Sequence, residues 1–348
     1  MTSVMYTPKS SLPSTMNAWV IDDFGGPEVF ERREIDVPAL DDHEVLVQVR
    51  ATSVNPVDYK IRRGDAAALC PPQPATLHGD VAGVVVAVGD EVTAFDEGDA
   101  VYGCAGGYPP VPHGALADYM LCDARLLASM PESLSFREAA ALPLVTLTAW
   151  EGLIDKADVG DGDQVLVHGA TGGVGHVGLQ LAAWRGATVA VTASSQRKLD
   201  LGADLGAGTL INYEDEPVED YVARCTDGRG FDLVFDTVAG ENVQPSIEAT
   251  RLNGQVVTVG IPAEGGMRAV GGQGISVHFV SMLIPMLHDV GRAHHGEILR
   301  RTAELVEQGH LRPLVDDRTF TFDEISDAHA YAEAHEQIGK VVVTHPEA

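Results

Sequence analysis

Residues 165–182, VLVHGATGGVGHVGLQLA, constrain this chain more than any other stretch. A β-branched run breaks at a glycine cluster and resumes as apolar residues at helical spacing, which predicts a buried strand, a tight loop and a helix in succession. Gly169, Gly172 and Gly175 stand at GxxGxxG spacing, with Gly173 inserted. Gly172 and Gly173 remove Cβ atoms where backbone must approach a ligand. The helix opening near Gly173 aims free N–H groups and the positive end of its dipole at an anion. Gly178 lets that helix pack closely on a sheet. The plainer alternative is that the glycines serve only a tight turn; in a strand–loop–helix context the expected occupant is the pyrophosphate of a dinucleotide.

The alternation continues downstream. ATVAVTAS (187–194) reads as a strand, QRKLDLGADLG (196–206) as a helix, TLINY (209–213) as a strand and FDLVFDTV (231–238) as another. ENVQPSIEATRLNG (241–254) reads as helical, and QVVTVG (255–260) and ISVHFV (275–280) as the last strands. Strands and helices alternating at these lengths imply an α/β fold with a doubly wound parallel sheet, a Rossmann domain over residues 141–284. Upstream, NAWVIDD, EVLVQVRATSV, DVAGVVVAVG, DAVYGC and LADYMLC are short β-rich runs between turns, and LSFREAAALPLVTLTAWEGLI (134–154) has helical spacing interrupted by Pro143. The tail, with helical GEILRRTAELVEQG and FDEISDAHAYAEAHEQ and the strand GKVVVTH, has no place in the alternation. It is expected to complete the β-rich domain, giving residues 16–140 with 285–348, behind a flexible extension at 1–15.

Composition excludes several roles. With a net charge of −28 the chain repels nucleic acid and anionic membrane, so neither is expected as a partner. The acids are scattered rather than gathered in a tail, which fits a halophilic surface, where a Debye length of ~3 Å at 1 M salt makes self-repulsion tolerable. Lysine occurs only at Lys9, Lys60, Lys156, Lys198 and Lys340. No apolar run reaches membrane-spanning length and the amino terminus is polar, so a cytoplasmic protein is expected. Cys70, Cys104, Cys122 and Cys225 form no CxxC pair, which removes a disulfide framework and a cysteine-rich zinc lobe.

The second strand of the α/β part selects the nucleotide. An NAD site places a carboxylate at that strand's end, on the ribose 2′-OH. Here the strand ends in Thr192, Ser194 and Ser195, followed by Arg197 and Lys198, with Asp200 further on in the helix. Hydroxyls with two cations suit a 2′-phosphate, so NADP(H) is the expected cofactor. A solvated helix start is the alternative for Arg197 and Lys198, although cations there oppose the dipole.

The segments ATSVNPVDYKIRRGD (51–65), HGDVAGVVVAVGDEVTAFDEGDAVYG (78–103), AAALPLVTLTAWEGL (139–153), the glycine loop, GQVVTVG, SVHF and LVEQGHLRPLVD together resemble the medium-chain dehydrogenase/reductase superfamily, in its zinc-free quinone oxidoreductase (zeta-crystallin-like) and enone reductase branch. The resemblance covers about residues 16–345. It implies a β-rich GroES-like catalytic domain beside the Rossmann domain, with the cofactor in the cleft, and a homodimer. It also implies that Thr171 and Val174 join the loop glycines in holding the cofactor, with Tyr213 beside the adenosine phosphate, Val259 and Gly260 after the fifth strand, and His278, Phe279 and Val280 around the nicotinamide. Tyr213 can equally be a packing residue at a strand end.

In zinc-binding relatives three positions hold a catalytic metal; here they align with Asn55, Gly79 and Leu144, so no metal is expected. His78 adjoins the second position without thiolate partners, and the neighbours His294 and His295 make a poor chelate. Reducing an ordinary ketone develops a strongly basic alkoxide that needs a Lewis acid or a placed proton donor. A quinone or an α,β-unsaturated carbonyl yields a delocalised, weaker base, and this is the substrate class expected of a metal-free site. Asn55 is the expected hydrogen-bond donor at nicotinamide or carbonyl; setting a turn before Pro56 is its alternative. Tyr59 and Lys60 follow in the segment that lines the cleft in the family, and a Lys where many quinone reductases carry Tyr tips the expectation toward enones. Lys60 would polarise the carbonyl or protonate the enolate, a role that burial would favour; a surface lysine is the alternative. Two competing functions stay open: a zinc-type alcohol dehydrogenase and a nucleotide-binding relative with little turnover.

Overall fold

The computed structural model describes residues 12–260 and 267–346. Of the expected extension 1–15, residues 1–11 lie outside the described residues, and Thr15 already begins a strand. The chain divides into two compact units, one made of residues up to 144 with 283–307 and 315 onward, the other of 145–282 with 308–314.

The first unit opens with β1 (Thr15–Ile21), β2 (Glu31–Asp36) and β3 (Glu44–Ser53), then helix α1 (Pro56–Arg63), β4 (Ala75–Thr76), β5 (Asp80–Val88), β6 (Ala100–Cys104), β7 (Tyr119–Asp123), β8 (Leu127–Ser129) and α2 (Phe136–Ala140). β1 lies between β2 and β4 in a three-stranded sheet. β3 is the hub of the larger sheet and pairs antiparallel with both β5 and β7. Its Val45, Val47 and Val49 are fully buried, each contributing about 1.5–3 kcal/mol of burial. The strand β2, ERREID, was not expected: its exposed charges hide the period-2 pattern, and pairing with β1 sets it. Pro143 divides the expected helical run of 134–154 into α2 and α3 (Pro143–Trp150), and a π-helical turn over Glu151–Lys156 follows.

The second unit alternates β9 (Gln164–His168), α4 (Gly173–Trp184), β10 (Thr188–Ala193), α5 (Gln196–Asp204), β11 (Thr209–Asn212), α6 (Val218–Thr226), β12 (Phe231–Asp236), α7 (Val243–Ala249), β13 (Thr250–Thr258), α8 (Met267–Gln273) and β14 (Ser276–Phe279). The strands are parallel in the order β11-β10-β9-β12-β13-β14, so the chain reverses its direction of winding between β9 and β12. Leu166, Ile211, Phe231, Val234 and Val256 are buried in one cluster on this sheet. A Cβ on Gly178 would lie 2.4 Å from the Phe235 ring, so α4 sits close against β12 because no side chain intervenes. The expected helix 241–254 is shorter: it ends at Ala249, and Thr250, whose hydroxyl donates to the Ser246 carbonyl, begins β13.

The chain returns to the first unit with α9 (Ile284–His288), α10 (Arg292–Glu307), β15 (Phe320–Thr321), α11 (Ile325–Glu333) and β16 (Val342–Thr344). β16 pairs antiparallel with β3, placing Val342 opposite Ser53. Residues 308–314, expected with the catalytic part, belong instead to the second unit, where the Gln180 side chain bonds both the N–H and the carbonyl of Arg312. All four cysteines are free.

Candidate functional site

The carboxyl ends of the six parallel strands share one edge of the second unit's sheet, and the sequence-predicted nucleotide residues follow them in turn. After β9 the chain enters the glycine loop, where Gly169 takes φ +79°, a conformation glycine tolerates freely. Gly172 caps α4 without any side-chain bond, leaving first-turn N–H groups of a twelve-residue helix to an outside acceptor. A Cβ on Gly175 would lie 2.0 Å from the Gly169 carbonyl, so the loop closes only around glycine there. Gly172 is exposed, Gly173 and Val174 are half-buried, and Thr171 is buried. This is a cradle without side chains at a helix N-terminus, and it fits a dinucleotide pyrophosphate.

Ser194 and Ser195 follow β10 half-buried, Arg197 is exposed and Lys198 half-buried on the first turn of α5, and no carboxylate stands at the strand end. Thr192 is placed differently from expectation: its side chain is buried, and its hydroxyl bonds His168 Nδ1 at 3.0 Å and accepts from the Gly169 N–H. It holds the glycine loop from within. Tyr213 is exposed beyond β11 rather than packed. Val259 and Gly260 follow β13; the Val259 N–H donates to the Asp236 carbonyl. His278 is turned to Gln255, with Nε2 2.9 Å from its Oε1, Phe279 is exposed, and the Val280 N–H donates to the Thr258 carbonyl.

Two residues that the sequence reading passed over lie under the loop. Asp236 ends β12, and its Oδ1 accepts from the N–H groups of Val238 and Ala239 and from Asn242. The Thr237 hydroxyl donates to the His168 carbonyl at 2.6 Å. Burial brings the His168 imidazole down to about 4 against the pull of Asp236.

In the first unit the three candidate catalytic side chains diverge. α1 starts at Asn55 with Pro56 in its first turn, and the Asn55 N–H donates to Asp58 Oδ2 at 2.7 Å, a cap across the first turn. Tyr59 is buried, edge-on to the His335 ring and beneath the Arg63 guanidinium. Lys60, one residue on and therefore about 100° around the helix, is exposed, so the burial that would have favoured its role is absent.

Asn55 itself is buried, and its amide is committed. Nδ2 donates to Asp80 Oδ2 at 2.7 Å, and Oδ1 accepts from Lys340 Nζ at 2.5 Å. Asp80 also accepts from the Ser53 hydroxyl at 2.6 Å and from the Leu144 N–H at 2.8 Å. Lys340 is 4% exposed; it donates to the Val54 carbonyl as well and stands 3.9 Å from Asp80. Burial raises Asp80 while Lys340 and its hydrogen bonds lower it; burial lowers Lys340 while Asp80 and Asp58 raise it. Burial also pushes Asp58 up to about 7, opposed by the Asn55 N–H, by Lys340 and by the Tyr108 hydroxyl that donates to Oδ1.

This donor set does not fit a zinc ion. A Cβ on Gly79 would lie 2.6 Å from the Tyr108 ring and 2.9 Å from Cys104 Sγ, leaving no room for a ligand side chain. Leu144 offers only its N–H, already given to Asp80. Among the described residues no three His, Cys, Asp or Glu side chains are placed to hold a metal, and no helix is long and apolar enough to cross a membrane.

Comparison with known proteins gives two family matches: residues 41–132 match the alcohol dehydrogenase GroES-like domain, and residues 205–343 match a family described as zinc-binding dehydrogenase. The chain is 34% identical over 349 residues to the chloroplastic NADPH-dependent alkenal/one oxidoreductase of Arabidopsis thaliana, covering 98% of this chain and 82% of the relative. It is 35% identical over 246 residues to human quinone oxidoreductase, covering 70% and 73%. The crystal structure of an alcohol dehydrogenase superfamily protein from Novosphingobium aromaticivorans is 42% identical, with a TM-score of 0.89 over 94% of this chain and 99% of that one.

Proposed function

Because the chain belongs to the medium-chain dehydrogenase/reductase superfamily, with quinone and alkenal/one oxidoreductases among its relatives, we propose that it reduces quinones or α,β-unsaturated carbonyls with NADPH and without a metal ion. The observation that carries this reading is the filling of the three aligned metal positions: Asn55 is bonded to Asp80 and Lys340, Gly79 has no space for a side chain, and Leu144 is apolar. A site with no Lewis acid suits an acceptor that delocalises its own negative charge. Bound nicotinamide in its reduced form supplies the hydride.

The chain's own residues do the rest by binding and placement. The N–H groups at the start of α4 take the pyrophosphate, and the bare Gly172 lets the backbone come close. Ser194, Ser195, Arg197 and Lys198 take the 2′-phosphate with hydroxyls and two cations, and no carboxylate at the end of β10 opposes it. Lys60, exposed on α1, offers its ammonium to the carbonyl oxygen, where a fixed positive charge lowers the cost of the developing enolate. The name of the Arabidopsis relative, which includes both NADPH and alkenals/ones, supports the same cofactor and acceptor class.

The test is NADPH consumption with a panel of quinones, enones and saturated ketones, alongside elemental analysis. Turnover confined to conjugated acceptors, no stoichiometric metal, and a Lys60→Met variant with lower kcat/KM for enones are expected. Stoichiometric zinc with turnover of saturated alcohols would overturn the reading, as would binding of NADPH with no turnover of any acceptor.

A further inference from the structure

Lys340 is a lysine in a place where lysine is costly. An ammonium held away from water must be compensated by partners close by, or it gives up its proton. Strand pairing brings it there: β16 runs antiparallel to β3 with Val342 opposite Ser53 and Val343 opposite Thr52, so the same register carried two residues further sets Lys340 opposite Asn55. On the other side of β3, Asp80 opens β5, and its carboxylate receives Ser53 and Asn55. The Asn55 side chain is thus clamped between a cation on one neighbouring segment and an anion on the other.

The clamp has one orientation. Lysine only donates and an ionised carboxylate only accepts, so the amide oxygen must face Lys340 and the amide nitrogen must face Asp80. Observed contacts obey this, with Oδ1 on Nζ and Nδ2 on Oδ2. Four pieces of the first unit meet in it: the end of β3, the start of β5, the first turn of α3 through the Leu144 N–H, and the segment before β16. Asn55 is also the residue from which α1 starts, so whatever fixes Asn55 fixes the helix that carries Tyr59 and Lys60. Remove the ammonium, and Asp80 stays buried without its counter-charge while the Asn55 amide oxygen loses its donor.

We infer that Lys340 is a positioning residue for the acceptor side of the reaction, acting through Asn55 and Asp80 to fix the start of α1. The inference rests on the hydride-transfer reading for what α1 is positioned to do, and on the contacts alone for the positioning itself.

Two variants and two measurements test it. Lys340→Met removes both charge and donor; Lys340→Gln keeps a donor for Asn55 Oδ1 without the charge. Steady-state kinetics with NADPH and an enone should show kcat falling on the order of 10- to 100-fold in the Met variant, as expected for a displaced catalytic geometry. KM for NADPH should stay within about twofold, because the nucleotide loop belongs to the other unit, and the Gln variant should recover part of kcat. Amide hydrogen exchange should speed up at Asn55 and Leu144 in the Met variant while the α4 amides keep their protection. A Met variant with kcat within about twofold of the parent overturns the inference. Parallel loss of kcat and NADPH affinity with no recovery in Gln, or failure of both variants to fold, also overturns it, since Lys340 would then be a general prop of the fold. If the parent consumes no NADPH with any conjugated acceptor, the functional reading fails, and the exchange data still decide whether Lys340 positions α1.

Discussion

His168 and Asp236 stand opposite one another on the neighbouring parallel strands β9 and β12, each with one side-chain atom, Nε2 and Oδ2, that has no hydrogen-bond partner among the described residues. They lie where the sheet reverses its winding, beneath the loop that fits the pyrophosphate. The imidazole is kept neutral by burial, and that neutrality has a cost at low pH.

The sign follows from the direction of the shift. The folded state holds His168 near 4 and an unfolded histidine titrates near 6.5, so between those values the unfolded chain binds more protons. Its contribution to stability is whole above about pH 6.5 and is lost as pH falls toward 4, by about 3 kcal/mol at the limit. His168→Asn keeps a polar atom near the Nδ1 position for Thr192 and cannot titrate. Denaturant unfolding between pH 4.5 and 7.5 should therefore show a shallower acid decline in the variant; parallel curves would refute the assignment.

Gly175→Ala should damage the nucleotide loop selectively. Its Cβ would press on the Gly169 carbonyl at 2.0 Å, a backbone atom that cannot rotate away. Overpacking of this kind costs about 1–3 kcal/mol, and NADPH affinity, read by fluorescence titration, should fall roughly tenfold or more. Unchanged affinity would remove the loop from the binding site.

Cofactor choice can be reversed at the end of β10. Ser194→Asp introduces a carboxylate that repels a 2′-phosphate and accepts from a 2′-OH. The ratio of kcat/KM for NADPH to that for NADH should drop roughly tenfold or more. A constant ratio would count against Ser194, Arg197 and Lys198 as the phosphate-binding group.

The legible parts of the molecule were those written in local pattern. β9, the glycine loop and α4 are encoded within twenty-one consecutive residues, Gln164 to Trp184, and the parallel strands around them are apolar because both of their faces are covered. β2 was hidden because an edge strand has only one partner and can carry charge on most positions. The direction of the Thr192 side chain was not legible, because a strand-end hydroxyl looks the same in sequence whether it turns outward or, as here, back to His168. Lys60 and Lys340 show the limit most clearly. Both were visible as rare lysines, but only the β3–β16 pairing, across 285 residues of chain, decides that the second is buried against Asn55 while the first stays at the surface.

The surplus of acid makes a prediction about solvent. A net charge of −28 stores self-repulsion that molar salt screens and dilute buffer does not. The melting temperature should fall by roughly 5 °C or more, a few kcal/mol in a chain this long, on transfer from molar to low-millimolar salt. A melting curve insensitive to salt would make the acidity ordinary.

Because residues 145–282 interrupt the first unit, the ribosome releases nearly all of the nucleotide-binding unit before β16 exists. During synthesis the end of β3 beyond its pairing with β7 waits with one edge open, and Asp80 and Asn55 wait without their cation, until residues 340–344 emerge. Cutting the chain just short of residue 340 would remove less than a thirtieth of it and yet withhold both the closing strand and the buried charge, so the tail works as the fastener of a domain begun three hundred residues earlier.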